Sequence, residues 1–357
     1  MPSSTSNSNS RIPHAPYGKQ WLLALLLFAG LLLPVELALR EQGHLPSVTD
    51  SMALWAYQRS QVYPHPRAAD ETKQGAKHIV LLGSSRMQLG VAPDVLEQTL
   101  PGYTVTQLGI NGTVGLAVLK DLAEDPAFTG LVIYDANIVS LARQGETSQQ
   151  RWVDYYRREW SHWGRWDKMA NLTIQTFLQE RFLLFSSTLS PRQLLVFIPG
   201  AAPAYIETRP DRYRAAHYYS LLTPAGLDRL RTRIIDLTQR NYARTAPTSQ
   251  ADFLDSLHTL VRPAVAKIQQ RGGNVLFLHF PVGAELRDLY DTPELRRQYW
   301  DQIAPITGAP TLHFADIPAM RALPVPDASH LDAKDARRFT LLLADELRRL
   351  QLVSVAE

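Results

Sequence analysis

Short, uninterrupted apolar runs alternate with amphipathic stretches along most of the chain from residue 78 onward. The runs predict buried strands at His78–Gly83, Tyr103–Leu108, Gly130–Tyr134, Asn274–His279 and Thr311–Phe314. The stretches beside them predict helices at 92–100, 114–125, 250–271 and 333–350. Strands that are apolar on both faces must be covered on both faces, so the alternation predicts an α/β fold with a parallel sheet between helices.

The alternation stops between about residues 145 and 250. Four of the seven tryptophans lie there within fifteen residues: Trp152, Trp160, Trp163 and Trp166. We interpret this stretch as a mostly helical insertion, with a helix at 224–243 and a buried strand or helix at Gln193–Ile198. Because the insertion follows the end of a predicted strand, we expect it to frame a site at the carboxyl edge of the sheet.

The segment Trp21–Leu39 has Glu36 as its only charged residue. Its nineteen residues reach about 28 Å as a helix, close to the hydrocarbon thickness of about 30 Å. The preceding tail, residues 1–20, is predicted to be disordered and carries Arg11 and Lys19 without an acidic residue. The positive-inside rule therefore places the tail in the cytoplasm and residues 41–357 outside it.

These features predict a single-pass anchor in the inner (cytoplasmic) membrane with a periplasmic domain. A cleaved signal peptide is the alternative, although no small-x-small cleavage site follows the apolar segment. Residues 40–77 contain Pro46, Pro64 and Pro66 and show no sustained period, which predicts a linker, with a short helix at Met52–Tyr57. Residues 78–357 then form the main domain.

The composition excludes several classes of protein. A net charge of +3, from 37 Lys+Arg and 34 Asp+Glu, gives no electrostatic reason to expect nucleic acid as a partner. The absence of cysteine excludes disulfides, cysteine-ligated zinc and thiol catalysis. The chain lacks an H-E-x-x-H motif, a P-loop and a dinucleotide G-x-G-x-x-G motif, so we expect neither a metal site nor a cofactor.

Four short motifs follow predicted strands or precede the last helix: Gly83-Ser84-Ser85-Arg86, Gln107–Gly112, Asp135-Ala136-Asn137 and Asp327-Ala328-Ser329-His330. Taken singly, each of the first three is typical of an ordinary turn. In the fourth, a spacing of three lets the carboxylate reach one imidazole nitrogen and leaves the other free as a base. The residue types match a serine nucleophile, an oxyanion-binding glycine and asparagine, and an Asp–His pair.

In this order, the four motifs resemble the blocks of the SGNH (GDSL-like) hydrolase superfamily. The resemblance covers residues 78–143 and 252–350 and implies a three-layer, flavodoxin-like α/β/α fold. It implies a catalytic triad of Ser85, Asp327 and His330. It also implies an oxyanion hole made by the backbone N–H groups of Ser85 and Gly112 and the side-chain amide of Asn137. An α/β-hydrolase is disfavoured, because no G-x-S-x-G elbow surrounds Ser85.

The chain departs from the family pattern at three places. Ser84 replaces the aspartate of the first block, and Gln107 replaces the asparagine that opens the second. Asp135 and Ile138 replace the glycine and aspartate that flank the asparagine of the third. The divergence resembles the membrane-anchored members associated with acylation of cell-envelope or extracellular polysaccharides.

The resemblance implies a serine esterase or O-acyltransferase that acts on acyl esters, with acetyl the expected group, of such a polysaccharide. The implied partners are an acylated carbohydrate or another ester and a membrane-bound acyltransferase. The tryptophans of the insertion either stack on sugar rings or pack a core, and the sequence leaves both open. The alternative function is a catalytically inactive binding or scaffold subunit of a polysaccharide acylation or export complex.

Overall fold

The computed structural model of the chain describes residues 17–63, 77–160, 165–189 and 203–354. Within them, five parallel strands form one sheet: β1 (Lys77–Leu82), β2 (Tyr103–Gln107), β3 (Leu131–Asp135), β6 (Asn274–His279) and β7 (Thr311–His313). Their order across the sheet is β2-β1-β3-β6-β7. In the register of the sheet, Ile79 of β1 pairs with Val105 of β2 on one side and with Leu131 of β3 on the other. The parallel sheet predicted from the apolar runs is confirmed.

A short antiparallel hairpin, β4 (Ile206–Thr208) and β5 (Arg214–Ala216), lies outside this sheet. The helices of the described residues are α1 (Tyr17–Glu41), α2 (Met52–Ser60), α3 (Ser85–Gly90), α4 (Pro93–Thr99), α5 (Leu116–Glu124), α6 (Gln150–Tyr155), α7 (Arg165–Arg181), α8 (Tyr218–Leu221), α9 (Pro224–Thr245), α10 (Gln250–Ser256), α11 (Arg262–Gln270), α12 (Arg287–Tyr290), α13 (Pro293–Leu295), α14 (Asp301–Thr307), α15 (Pro318–Arg321) and α16 (Ala333–Arg349). A π-helical turn, Leu257–Val261, joins α10 to α11, so the predicted helix at 250–271 is nearly continuous.

Successive strand residues point to opposite faces of the sheet, and here the residues on both faces are apolar. Helices therefore cover both faces. On one face, Val80 and Leu82 belong to the same buried cluster as Leu119 of α5 and Val265 of α11. On the other face, Ile79, Leu81, Ile133 and Leu276 join a cluster that includes the α16 residues Phe339, Leu343 and Leu347. The helices thus cover the two faces of the sheet, and the loops that follow β1, β2 and β3 lie at its carboxyl edge.

The segment that follows α1 packs onto the domain. In α2, Trp55 is fully buried and donates a hydrogen bond from its indole Nε1 to the carbonyl oxygen of Leu108 at 3.0 Å. The buried Arg59 of α2 forms 2.8 Å ion pairs with Asp121 and Asp125. A linker was predicted for 40–77, but residues 40–63 belong to the folded domain. Because Arg59 is charged, the sequence pattern of α2 does not indicate that this side of the helix is buried. Residues 64–76 lie outside the described residues.

The insertion is helical in its described parts apart from the β4–β5 hairpin. Its tryptophans do not form one aromatic surface. Trp160 is 1 % exposed and belongs to the core, and Trp152 packs edge-on against Trp55 with ring centroids 6.1 Å apart. Trp166, in contrast, is 86 % exposed. Trp163 and the Gln193–Ile198 segment lie outside the described residues.

Helix α1 is long and apolar enough to cross a membrane. It begins at Tyr17 and ends at Glu41, a few residues beyond the predicted Trp21–Leu39 segment at each end. Its large apolar side chains from Trp21 to Leu37 are mostly exposed, as expected of a helix that is surrounded by lipid. Residues 1–16 of the predicted tail lie outside the described residues.

Candidate active site

The turn after β1 carries the two serines of the first motif. Gly83 has φ +147°, and a Cβ at this position would lie 2.4 Å from the Cβ of Asp135 at the end of β3. Glycine is therefore required for the two strand ends to approach so closely. The hydroxyl of Ser84 donates to Oδ2 of Asp135 at 2.8 Å, while Ser85 is the first residue of α3.

Ser85, His330 and Asp327 form a continuous hydrogen-bonded chain. The Oγ of Ser85 lies 2.8 Å from Nε2 of His330, and Nδ1 of the same ring lies 2.8 Å from Oδ2 of Asp327. Ser85 is separated from His330 by 245 positions in the sequence, so the fold itself brings them together. These distances meet the geometric requirement for a serine nucleophile beside an oriented base.

Asp327 is held by four hydrogen bonds and is 1 % exposed. Its Oδ1 accepts the backbone N–H groups of Ser329 at 2.9 Å and His330 at 2.7 Å. Its Oδ2 accepts the imidazole bond and a 2.8 Å bond from the hydroxyl of Tyr218. Burial alone would raise the pKa of Asp327, but the positive charge of protonated His330 and these hydrogen bonds lower the pKa to about 2. The carboxylate therefore stays ionised and can stabilise an imidazolium.

Two residues near this chain were given no role by the sequence. Tyr218 is the first residue of α8, in the insertion, and nothing in the tyrosine-rich stretch around it marks its role. Arg86 follows the serine, and its Nε donates to Oγ of Ser329 at 3.3 Å while its guanidinium lies 4.5 Å from the ring centre of Tyr290. Arg86 thereby links the first motif to the fourth.

The loop of the second motif is fixed by Gln107. Its buried side chain accepts the backbone N–H of Gly109 at 2.8 Å and donates to the carbonyl oxygen of Met87 at 3.1 Å. The backbone N–H of Ile110 donates to the carbonyl oxygen of Gly83 at 3.0 Å, which ties the loop to the serine turn. Gly112, two residues further on, is exposed and has φ +72°. Its place in an oxyanion hole stays a prediction.

Asn137 forms an Asx-type turn after β3. Its Oδ1 accepts the backbone N–H groups of Val139 and Ser140, both at 2.9 Å, and its own N–H donates to Oγ of Ser140 at 2.8 Å. These bonds use the oxygen of the side-chain amide and fix the side chain, while leaving the two donors of Nδ2 for another acceptor. The turn and the predicted oxyanion role are therefore compatible.

Asp135, at the end of β3, is a further buried carboxyl. Burial raises the pKa of Asp135, and the charge of Arg86 and the hydrogen bond from Ser84 partly oppose that rise. The hydroxyl of Ser84 thus donates to this carboxyl, whereas that of Ser85 contacts His330, so the two adjacent serines have different partners.

The insertion forms a cavity beside the second motif. The cavity has a volume of about 550 Å³ and is lined by Asn111, which precedes Gly112, and by the insertion residues Trp152, Tyr205 and Arg214. The ring of Tyr205 lies 5.4 Å from that of Tyr218, which donates to Asp327. The insertion therefore contacts the second motif and Asp327, and its part in a substrate entrance stays a prediction.

The part of the chain that the structure describes contains no group of three or more His, Asp or Glu side chains arranged to hold a metal ion. No protein-family model matches the chain, and a search of curated proteins finds no significant match. The chemistry of the site must therefore be argued from its own side chains.

Proposed function

We propose that this chain is a membrane-anchored, extracytoplasmic serine esterase or O-acyltransferase of the SGNH type. The observation that supports the proposal best is the chain of two 2.8 Å contacts from Ser85 through His330 to Asp327. The proposed substrates are acyl esters, above all acetyl esters, of cell-envelope or extracellular polysaccharide. The family assignment rests on the four motifs and on the α/β architecture.

In the proposed reaction, the Oγ of Ser85 attacks the carbonyl carbon of the ester while Nε2 of His330 accepts the hydroxyl proton. The C–O bond to the alcohol then breaks, and the imidazolium returns the proton to the leaving oxygen. The product is an acyl-enzyme on Ser85 and a free alcohol. Asp327 keeps the imidazole oriented and stabilises its positive charge throughout.

The acyl-enzyme is resolved by a second hydroxyl compound. The oxygen of water or of a sugar hydroxyl attacks the acyl carbon while His330 removes its proton, which gives the free acid or a new ester. The bond from the acyl carbon to Oγ of Ser85 breaks, and the imidazolium returns the proton to Oγ. The oxyanion of both tetrahedral intermediates would be bound by the backbone N–H groups of Ser85 and Gly112 and by Nδ2 of Asn137. A single donor of this kind is worth about 10²–10³ in rate.

The N-terminal helix supports the proposed location. Helix α1 is able to span the inner membrane, and the cations at Arg11 and Lys19 favour a cytoplasmic tail. The domain would then act in the periplasm. For transfer, we propose that a membrane-bound acyltransferase supplies the acyl group.

A fluorophosphonate probe tests the proposal on the purified full-length protein in detergent. Such a probe phosphonylates an activated serine, and peptide mapping identifies the residue. We expect labelling of Ser85 that is abolished by Ser85→Ala. The matched control Ser84→Ala should keep most of the labelling, because the hydroxyl of Ser84 donates to Asp135 while Ser85 contacts the base.

Two outcomes would contradict the proposal. Absence of labelling in a folded wild-type protein would favour the scaffold function. Labelling that is lost in Ser84→Ala and retained in Ser85→Ala would exchange the roles of the two serines. Circular dichroism of each variant establishes that the fold is intact.

A further inference from the structure

The end of the membrane helix is fastened to the insertion by Glu36. Its two carboxylate oxygens accept the backbone N–H groups of Leu183 at 3.0 Å and Leu184 at 3.1 Å. Arg40, one turn further along α1, pairs with Glu36 and donates from Nη2 to the carbonyl oxygen of Arg181 at 2.8 Å. The segment that follows α7 is therefore held against α1 by three hydrogen bonds that are independent of side-chain packing.

The position of these bonds along α1 fixes their depth relative to a bilayer. Glu36 lies five residues before the end of the helix at Glu41, which is about 7.5 Å along the axis. Leu37, the next residue, is apolar and half exposed, so the lipid-facing surface of α1 extends at least to this level. If α1 spans the membrane, the segment bound by Glu36 lies at the edge of the hydrocarbon region.

The residues beside this attachment are apolar and exposed. Phe182 and Phe185 flank the bound amides, are 43 % and 49 % exposed, and pack edge-on with centroids 6.3 Å apart. The exposed apolar residues of α7 continue the surface at helical spacing, at positions 166, 170, 174 and 177. Leu172 and Gln179, on the other side of α7, are buried. Among the described residues, nothing covers this face of α7, although the opposite side of the helix is packed against the domain.

We infer that the exposed face of α7, together with Phe182 and Phe185, lies in the headgroup region of the bilayer that contains α1. An interfacial helix buries its apolar face about 5–10 Å into the headgroup boundary, and the bonds at Glu36 hold the segment with Phe182 and Phe185 about 7.5 Å from the C-terminal end of α1. Aromatic residues favour this region because their rings are apolar while their edges tolerate water. The guanidinium of Arg181, 5.7 Å from the ring centre of Phe177, is placed to contact lipid phosphate.

The inference changes how the domain is attached to the membrane. A single span followed by a flexible linker would leave the domain free to tumble above the bilayer. The bonds at Glu36 and the face of α7 instead hold it at one height and in one orientation. The surface needs no second protein to be covered, because the bilayer that surrounds α1 already reaches it.

The chain has no cysteine, so single cysteines can be introduced into the full-length protein without background. Phe177→Cys, Phe182→Cys and Phe185→Cys would each carry an environment-sensitive fluorophore after reconstitution into phosphatidylethanolamine–phosphatidylglycerol vesicles. Leu341→Cys, at a half-exposed position on α16, is the matched control. We expect blue-shifted emission and quenching by doxyl-labelled lipids at the three phenylalanine positions, and water-like emission at position 341.

A second variant tests the attachment itself. Glu36→Ala removes the acceptor of the Leu183 and Leu184 N–H groups, so lipid quenching at position 185 should fall at least twofold. A label at Leu27, in the middle of α1, should be quenched as strongly as before. If labels at 182 and 185 are as exposed to water as the label at 341 while that at 27 is quenched, the inference is wrong. Shielding at 182 and 185 only in native membranes would assign the face to a protein partner and overturn it as well.

Discussion

Replacing Asp327 by asparagine isolates the orienting role proposed for its carboxylate. The substitution keeps the size of the side chain, and its carbonyl oxygen can still accept the N–H groups of Ser329 and His330, as Oδ1 does. The new NH₂ group then occupies the place of Oδ2, where two donors converge at 2.8 Å: Nδ1 of His330 and the hydroxyl of Tyr218. To avoid opposing donors, His330 must present a lone pair on Nδ1 and carry its proton on Nε2.

A ring protonated on Nε2 faces Ser85 with a donor and cannot accept the serine proton. In Ser-His-Asp hydrolases this wrong tautomer costs about 10⁴ in kcat. At about 1.36 kcal/mol for each factor of ten, the loss of transition-state stabilisation is about 5.4 kcal/mol. Removing the charge-assisted bond costs the fold only about 1.5–3 kcal/mol. We therefore expect Asp327→Asn to remain folded while its activity falls about ten-thousandfold.

The assay is hydrolysis of p-nitrophenyl acetate by the full-length protein in detergent, with the rate of fluorophosphonate labelling as a second measurement. Tyr218→Phe is the control, because it removes one bond to the same oxygen and leaves the imidazole bond and the tautomer unchanged. It should cost about tenfold or less, the worth of one hydrogen bond. An Asp327→Asn protein within tenfold of wild type, or an equal loss in Tyr218→Phe, would refute the reasoning.

Two further predictions concern stability. Gly83→Ala should lower the free energy of unfolding by about 2–6 kcal/mol, because it adds backbone strain at φ +147° to a contact of 2.4 Å between the new Cβ and that of Asp135. Gly102→Ala, at φ +83° and with open space around the new Cβ, should lower it by only about 1–3 kcal/mol. Urea unfolding compares them, and equal losses would mean that the strand ends separate freely. The pKa of Asp327, lowered from 3.8 to about 2, gives a stabilisation of about 2 kcal/mol that is present above pH 3.8 and lost as the pH falls through 2. Acid titration should therefore show a steeper loss of stability in the wild type than in Asp327→Asn, and parallel curves would contradict this assignment.

The sheet was predictable because its signals are local. A fully buried parallel strand is apolar at every position, so a run such as that from Asn274 to His279 is visible without knowledge of its neighbours, and β6 has these same bounds. The four motifs were visible for the same reason, since each follows a strand or precedes the last helix. Their roles in catalysis stay predictions.

The residues whose burial was not predicted owe that burial to partners far away in the sequence. Arg59 is buried because Asp121 and Asp125, more than sixty positions later, neutralise it. Without those partners, an arginine in a short helix indicates an exposed face, and the prolines at 46, 64 and 66 favoured a linker for the same segment. Trp160 and Trp166 are six positions apart, and only their tertiary surroundings make one a core residue and the other an exposed one.

The proposed base is positioned by the core and by the insertion together. The hydroxyl of Tyr218 donates to Asp327, and its backbone N–H donates to Oδ2 of Asp332 at 3.0 Å. Asp332 is also the N-cap of α16, where it accepts the N–H of Lys334 at 3.1 Å. One residue of the insertion thus bonds to both ends of the turn that carries His330. A displacement of α8 would break the bonds to Asp327 and Asp332, which precede and follow His330 in the chain, so the order of the insertion and the geometry of the proposed base are physically coupled.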